Sequence, residues 1–196
     1  MSAACLACGS GELEDWTVSK DVEYFTVPDE FAYRRCRECD ALSIDPVPSD
    51  RLAEIYPGNY YSFDEGSRSW VTRVKESLDR RGFRKLLAGI EGDELAVLDV
   101  GGGSGYLLDQ VRRCDPRVRF TQVVDFDQQA EQLARERGHE YFCGRIEDFA
   151  GEQRFDFILL LNLVEHVADP GGVLSQARDL LKPGGRILLK TPNCCS

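Results

Sequence analysis

Asp99-Val100-Gly101-Gly102-Gly103-Ser104-Gly105 is the stretch whose reading decides the fold. It follows the compact apolar run Leu95-Ala96-Val97-Leu98, which reads as a buried strand, and it precedes a helical pattern running from about Ser104 to Cys114. Glycines at such a handover let the backbone turn tightly and come close to a ligand, with the N-terminus of a helix beside it. A glycine turn alone says little. Asp125 gives it meaning, because it stands twenty residues after Gly105 at the end of the next apolar run, Phe120-Thr121-Gln122-Val123-Val124-Asp125. An acid there accepts hydrogen bonds from ribose hydroxyls in nucleotide-binding α/β sheets. A nicotinamide oxidoreductase is the rival reading, but NAD and FAD sites use G-x-G-x-x-G/A, whereas this turn has G-x-G-x-G spacing after an aspartate.

Working outward, the pattern continues to alternate. Asp127 is placed to cap a second helix, a short strand is expected near Glu140–Cys143, and Phe155-Asp156-Phe157-Ile158-Leu159-Leu160-Leu161 is apolar enough to be buried on both faces. A helix over roughly 172–181 leads through Lys182-Pro183-Gly184-Gly185 to a fifth strand, Arg186–Lys190. Strands alternating with helices predict an α/β domain with a parallel sheet.

The ordered set of motifs resembles the class I S-adenosylmethionine (SAM)-dependent methyltransferases. V-L-D-V-G-G-G-S-G is similar to their first motif and V-V-D-F-D to the second-strand motif. F-D-F-I-L-L-L-N-L-V-E-H-V-A-D-P is similar to the fourth-strand motif, and L-L-K-P-G-G-R-I-L-L-K-T-P-N to the turn and fifth strand. The resemblance covers residues 94–193 and implies a Rossmann-like sheet; the family's sheet continues with two more strands where this one is expected to stop after its fifth, so that a second copy of the chain or a missing C-terminal segment would complete the edge. It implies that Gly101, Gly103 and Gly105 approach the amino-acid part of SAM, with Asp99 organising the turn. Asp125 would hold the ribose and Phe126 would pack on the adenine. Arg145 stands where the family often has an acid for the adenine amine, so that contact moves to Ile146, Glu147 or Asp148. Asn162, Glu165 and His166 follow the fourth strand, close to where the methyl group would lie. His166 is the candidate base with Glu165 beside it; the bland reading is that the pair only starts a helix. His139, ahead of a strand in polar surroundings, reads as exposed.

The N-terminal part has a different chemistry. Cys5-x-x-Cys8 and Cys36-x-x-Cys39 form two pairs separated by 27 residues, the pattern of two knuckles closing a four-thiolate zinc site. With four thiolates the ion has no open position, so its role is structural. Cys114, Cys143, Cys194 and Cys195 have no such spacing and read as free thiols.

These features predict three stretches: a zinc-ribbon-like module at 1–48, a helical and aromatic connection at 49–92, and the SAM-binding domain at 93–196. In the connection, Tyr56, Tyr60, Tyr61 and Phe63 read as a substrate lid or as a seam between domains. Trp70, Val74, Leu78, Leu86 and Leu87 recur at helical spacing. Residues 68–90 carry seven Lys or Arg against two Asp or Glu, a local excess that would attract a phosphate-bearing acceptor if it is more than a solvated face.

The whole chain of 196 residues has a net charge of −10, and residues 1–48 hold four basic against ten acidic side chains. That balance repels a phosphate backbone and argues against nucleic acid, including an RNA acceptor. No apolar run is long enough for a membrane span and no signal pattern opens the chain, so a cytoplasmic protein without a membrane partner is expected. The function predicted is methyl transfer from SAM to a small molecule, such as a sugar or natural-product intermediate. The alternative of another class is a truncated or non-catalytic SAM-binding scaffold.

Overall fold

In the computed structural model the described residues are 4–22, 25–49, 51, 55 and 70–192. The aromatic cluster Tyr56 to Phe63 and the Cys194-Cys195 pair lie outside them. The chain divides into two compact units, one of residues 1–60 with 167–171 and one of 61–166 with 172–196.

The first unit holds a three-stranded antiparallel sheet of β1 (Leu13–Lys20), β2 (Glu30–Cys36) and β3 (Leu42–Ile44), in the order β1-β2-β3. Its ladder runs from Leu13 opposite Cys36 to Lys20 opposite Glu30, with a bulge at Trp16. A sheet this small buries little: apart from Cys5 and Cys36, its described residues are half-buried or exposed. Trp16 is stacked under the guanidinium of Arg35, 5.2 Å from the ring centre.

The second unit is a five-stranded parallel sheet with helices. Its elements are α1 (Trp70–Leu87), β4 (Leu95–Val100), α2 (Tyr106–Cys114), β5 (Val118–Asp125), α3 (Gln128–Glu136), β6 (Glu140–Cys143), β7 (Phe155–Leu161), α4 (Pro170–Leu180, of which Gly172 onward belongs to this unit) and β8 (Leu181–Lys190). The strand order is β6-β5-β4-β7-β8, all neighbours parallel. β4 is buried along its whole length and β7 along all but its last residue, as expected for strands covered on both faces. The core gathers Phe83, Leu87 and Ile90 from α1 and its following turn with Leu95, Val97, Leu108, Val111, Val123, Phe157 and Leu159. Of the apolar positions read on α1, Leu87 is fully buried and Leu86 half-buried; the side chains of Trp70, Val74 and Leu78 lie outside the described residues.

Two strands are longer than their apolar runs suggest. β5 begins at Val118, and β8 begins at Leu181 because Leu181 pairs with Phe155 ahead of a register shift. The Lys182-Pro183-Gly184-Gly185 turn therefore lies within the strand, with Gly184 in the left-handed region (φ 80°). At the foot of the sheet the carboxylate of Asp156 accepts from Ala96 N (2.7 Å) and Lys182 Nζ (2.7 Å), joining β7 to β4 and to β8. The functional consequence is directional. Because all five strands are parallel, the segments after β4, β5, β6 and β7 emerge at one edge, and the order reverses between β4 and β7, where open α/β sheets leave a crevice for a ligand.

Candidate functional site

The turn from β4 into α2 needs its glycines for different reasons. Gly101 (φ 73°), Gly103 (φ 50°) and Gly105 (φ 75°) are all left-handed, a conformation costly for any residue with a Cβ. Around Gly103 a Cβ would meet nothing within 4 Å, so that face of the turn is open. At Gly102 a Cβ would lie 2.7 Å from the Asp99 carboxylate, and at Gly105 it would overlap the His139 ring. The turn is closed by Gly101 N donating to Val124 O (2.8 Å) and Gly105 N to Gly102 O (2.9 Å).

Asp125 ends β5, 3% exposed, and grips the turn: its Oδ2 accepts from Gly103 N at 2.8 Å and its Oδ1 from Asp127 N at 3.0 Å. Burial holds its carboxyl above the usual range, partly offset by those amide donors. Asp99, 2% exposed, has an Oδ2 with no hydrogen-bond partner among the described residues. Burial first, and then the charge of Asp125, push it up to about 8. A buried carboxylate oxygen left unpaired beside an open backbone face is the mark of a site that takes a polar or cationic group. Next along, Phe126 is 57% exposed, and Asp127 caps α3 through Gln129 N (2.8 Å).

After β6, Ile146 to Asp148 form a 3₁₀ turn in which Ile146 is buried and Glu147 and Asp148 are exposed. After β7, Asn162 is left-handed (φ 51°), its N donating to Lys190 O at 2.7 Å, and Val164 to His166 form a second 3₁₀ turn. His166 Nε2 lies 3.9 Å from Glu165 Oε1, too long for a hydrogen bond. Burial holds the His166 pKa below the ordinary histidine value, with the Glu165 carboxylate opposing that shift. The parallel sheet thus brings the segments holding Asp99, Gly101, Gly103, Gly105, Asp125, Phe126, Ile146, Glu147, Asn162, Glu165 and His166 to a single edge.

The reading of His139 as exposed is corrected: it is 2% exposed, against the turn at Gly105. Its position explains why. α3 ends with Gly138 N donating to Arg135 O (2.9 Å) and His139 N to Ala134 O (3.0 Å), with Gly138 at φ 78°. That pair of bonds is the glycine-terminated helix end, in which the residue after the glycine turns inward. Gly138 behind a helical pattern was the available signal.

In the first unit, Cys5, Cys8, Cys36 and Cys39 place their sulphurs within 4.8 Å of one another, a group able to hold a metal ion. Cys5···Cys39 and Cys8···Cys36 are each 3.6 Å apart. A tetrahedral zinc with Zn–S of about 2.3 Å spaces its sulphurs about 3.8 Å apart, so the set fits that ion. Both pairs are built the same way. Gly9 N donates to Cys5 O (2.8 Å) and Cys5 N to Ser10 O (2.8 Å), while Asp40 N donates to Cys36 O (2.9 Å) and Cys36 N to Ala41 O (2.9 Å). Gly9 (φ 77°) and Asp40 (φ 60°) are left-handed at matching positions, and Arg35 anchors Asp40 through Nε (3.0 Å) and Nη2 (2.6 Å). The equivalence of Asp40 to Gly9 has no simple sequence signature.

A parallel β6-β5-β4-β7-β8 sheet with a glycine turn and an acid on consecutive strand ends defines a nucleotide-cofactor-binding α/β protein. Comparison with known proteins narrows that class. The methyltransferase domain family matches residues 68–195, more than half of the chain, and the chain belongs to that family, of the class I SAM-dependent type. It is 38% identical over 108 residues to the ubiquinone biosynthesis O-methyltransferase of Bradyrhizobium sp. (strain ORS 278), covering 50% of this chain and 40% of that protein. The protein of the same name from Xanthomonas oryzae pv. oryzae (strain PXO99A) is 35% identical over 105 residues, with 50% and 43% covered. The chain thus spans about two fifths of the length of these relatives. Among solved structures, the N-methyltransferase NodS of Bradyrhizobium japonicum WM9 superposes with a TM-score of 0.52 at 16% identity over 71% of this chain and 70% of that one, a likeness of fold.

Proposed function

We propose that this chain binds SAM at the edge formed by the Gly101–Gly105 turn and Asp125 and transfers its methyl group to a small-molecule acceptor, such as a sugar or natural-product intermediate. The observation that carries the reading is the Gly103 N to Asp125 Oδ2 bond beside the open face of Gly103 and the unpaired Asp99 oxygen, in a chain of the methyltransferase family. In the assignment we favour, Asp99 and the turn glycines take the amino-acid end, Asp125 the ribose, and Phe126 with Ile146 and Glu147 the adenine. The spare lone pairs of Asp125, whose oxygens already accept one amide each, suit ribose hydroxyls.

SAM supplies a methyl group already activated as a sulfonium, so the protein's work is to align an acceptor in line and exclude water. Asn162, Glu165 and His166 are the residues we assign to the acceptor side. The neutral His166 takes a proton from an acceptor hydroxyl, with the Glu165 carboxylate favouring the charged ring that results. The four cysteines hold a structural Zn²⁺. The charge of −10 supports a small acceptor in place of nucleic acid. No helix among the described residues is long and apolar enough to cross a membrane, and a site of four reduced thiolates suits the cytoplasm.

Calorimetry tests the cofactor: SAM and its demethylated product bind and NADH does not, whereas binding of NADH alone overturns the reading. A second reading is a SAM-binding segment without turnover. It predicts SAM binding with no methyl transfer to any acceptor offered.

A further inference from the structure

His139 is used by no step above, yet its ring packs against the glycine turn at Gly105. Its Nδ1 lies 2.8 Å from Thr121 Oγ1 on β5, and its Nε2 lies 3.5 Å from Asp109 Oδ1 on α2. Asp109 Oδ1 already accepts from Arg112 Nη2 at 2.9 Å, and Nε2 makes no hydrogen bond among the described residues. The tautomer with its proton on Nε2 points that proton toward the carboxylate and leaves Nδ1 to accept from the Thr121 hydroxyl. The Cδ2 edge of the ring then fills the space that a side chain on Gly105 would need. Its neighbour Arg137 reaches the same turn, donating from Nη1 to Ser104 Oγ (3.0 Å) and Ser104 O (3.3 Å). The end of α3 therefore holds the turn at two successive residues, Ser104 and Gly105.

We propose that His139 is a positioning residue for the cofactor: hydrogen-bonded to β5 through Thr121, it supports Gly105 and sets the height at which the turn presents its backbone to SAM. The proposal rests on the SAM reading above. The neutral ring suits the task. Burial and the nearby Arg112 and Arg137 disfavour its cation and outweigh Asp109 on the facing helix and the Gly105 backbone, which favour it; the ring pKa falls to about 4. An aliphatic side chain would fill the same space without the bond to Thr121 that fixes which edge faces Gly105. Gly105 is then glycine for a reason beyond its left-handed φ: its Cβ would collide with the ring that supports the turn.

The test is a double-mutant cycle of His139→Ala and Gly105→Ala, with His139→Asn as the conservative variant, since its amide oxygen can stand near the position of Nδ1 and accept from the Thr121 hydroxyl. SAM affinity is measured by calorimetry on the full chain at pH 7.5, at a temperature where melting curves show every variant folded. His139→Ala is expected to weaken SAM binding about ten- to a hundredfold, as for a displaced binding element, and His139→Asn to recover part of the loss. Gly105→Ala is expected to cost less affinity in the His139→Ala background than alone. If His139→Ala lowers the melting temperature but leaves SAM affinity unchanged, or if the two substitutions act independently, the positioning role is wrong. If the wild-type chain does not bind SAM, the cofactor reading fails and this proposal with it; wild-type binding with an indifferent His139→Ala overturns this proposal alone.

Discussion

Asp99 and Asp125 stand on adjacent strand ends, and burial acts on both in the same sense. A carboxyl whose folded pKa is raised to about 8 binds its proton more tightly folded than unfolded. The stability linked to it is present at low pH and is lost as pH rises from the ordinary aspartate value to about 8. A cationic ligand at this edge favours the charged carboxylate, so SAM binding near neutral pH should expel a proton. Calorimetry in buffers of different ionisation enthalpy should show that release, and Asp99→Asn should abolish most of it. His139 has the opposite slope: its folded pKa lies below the ordinary histidine value, so its contribution is complete above about pH 6.5 and disappears as pH falls toward 4. Over that interval wild type should lose roughly 3 kcal/mol more than His139→Asn, read from urea unfolding at a series of pH values.

At the level of elements, the strands and the glycine turn were legible because their information is local: an apolar run of six or seven residues, an aspartate at its end, glycines where φ must be positive. What was not legible depends on contacts distant in sequence. The C-terminus of α1 is held by two arginines from elsewhere. Arg117 donates to Leu87 O (3.0 Å) and Ile90 O (2.9 Å) while paired with Asp115 (2.7 Å), and Arg186 donates to Leu86 O (3.0 Å) and Gly89 O (2.9 Å). Nothing in the sequence around Arg117 or Arg186 signals a helix 30 or 100 residues earlier. His139 differs in part: Gly138 at the end of the helical pattern is a local sign that the next residue turns inward, and only the contact of its ring with Gly105 is distant in sequence. Arg117→Met should lower stability by about 2 kcal/mol by stranding helix carbonyls and Asp115, measured by urea denaturation; Arg117→Lys should restore only part, because one ammonium cannot serve the same fork of acceptors.

For the molecule as a whole, the two units draw on different sources of stability. The second has a buried sheet and an apolar core; the first has a thin antiparallel sheet and four clustered sulphurs. Bound zinc should measure one ion per chain by elemental analysis, and Cys36→Ser should reduce it. A chelator should melt the β1-β2-β3 sheet while leaving SAM binding by the second unit detectable. SAM at about a hundredfold over its dissociation constant should add roughly 2.7 kcal/mol to the second unit, while a chelator acts on the first. β4 sits third of five strands, with every residue buried and hydrogen-bonded neighbours on both sides, and the glycine turn begins at the very next residue. Backbone deuterium uptake along this short stretch would therefore pass from a segment that opens only in global unfolding to one governed by ligand occupancy. A single peptic fragment spanning both would carry its own internal clock, against which occupancy of the turn could be timed without labelling or an acceptor.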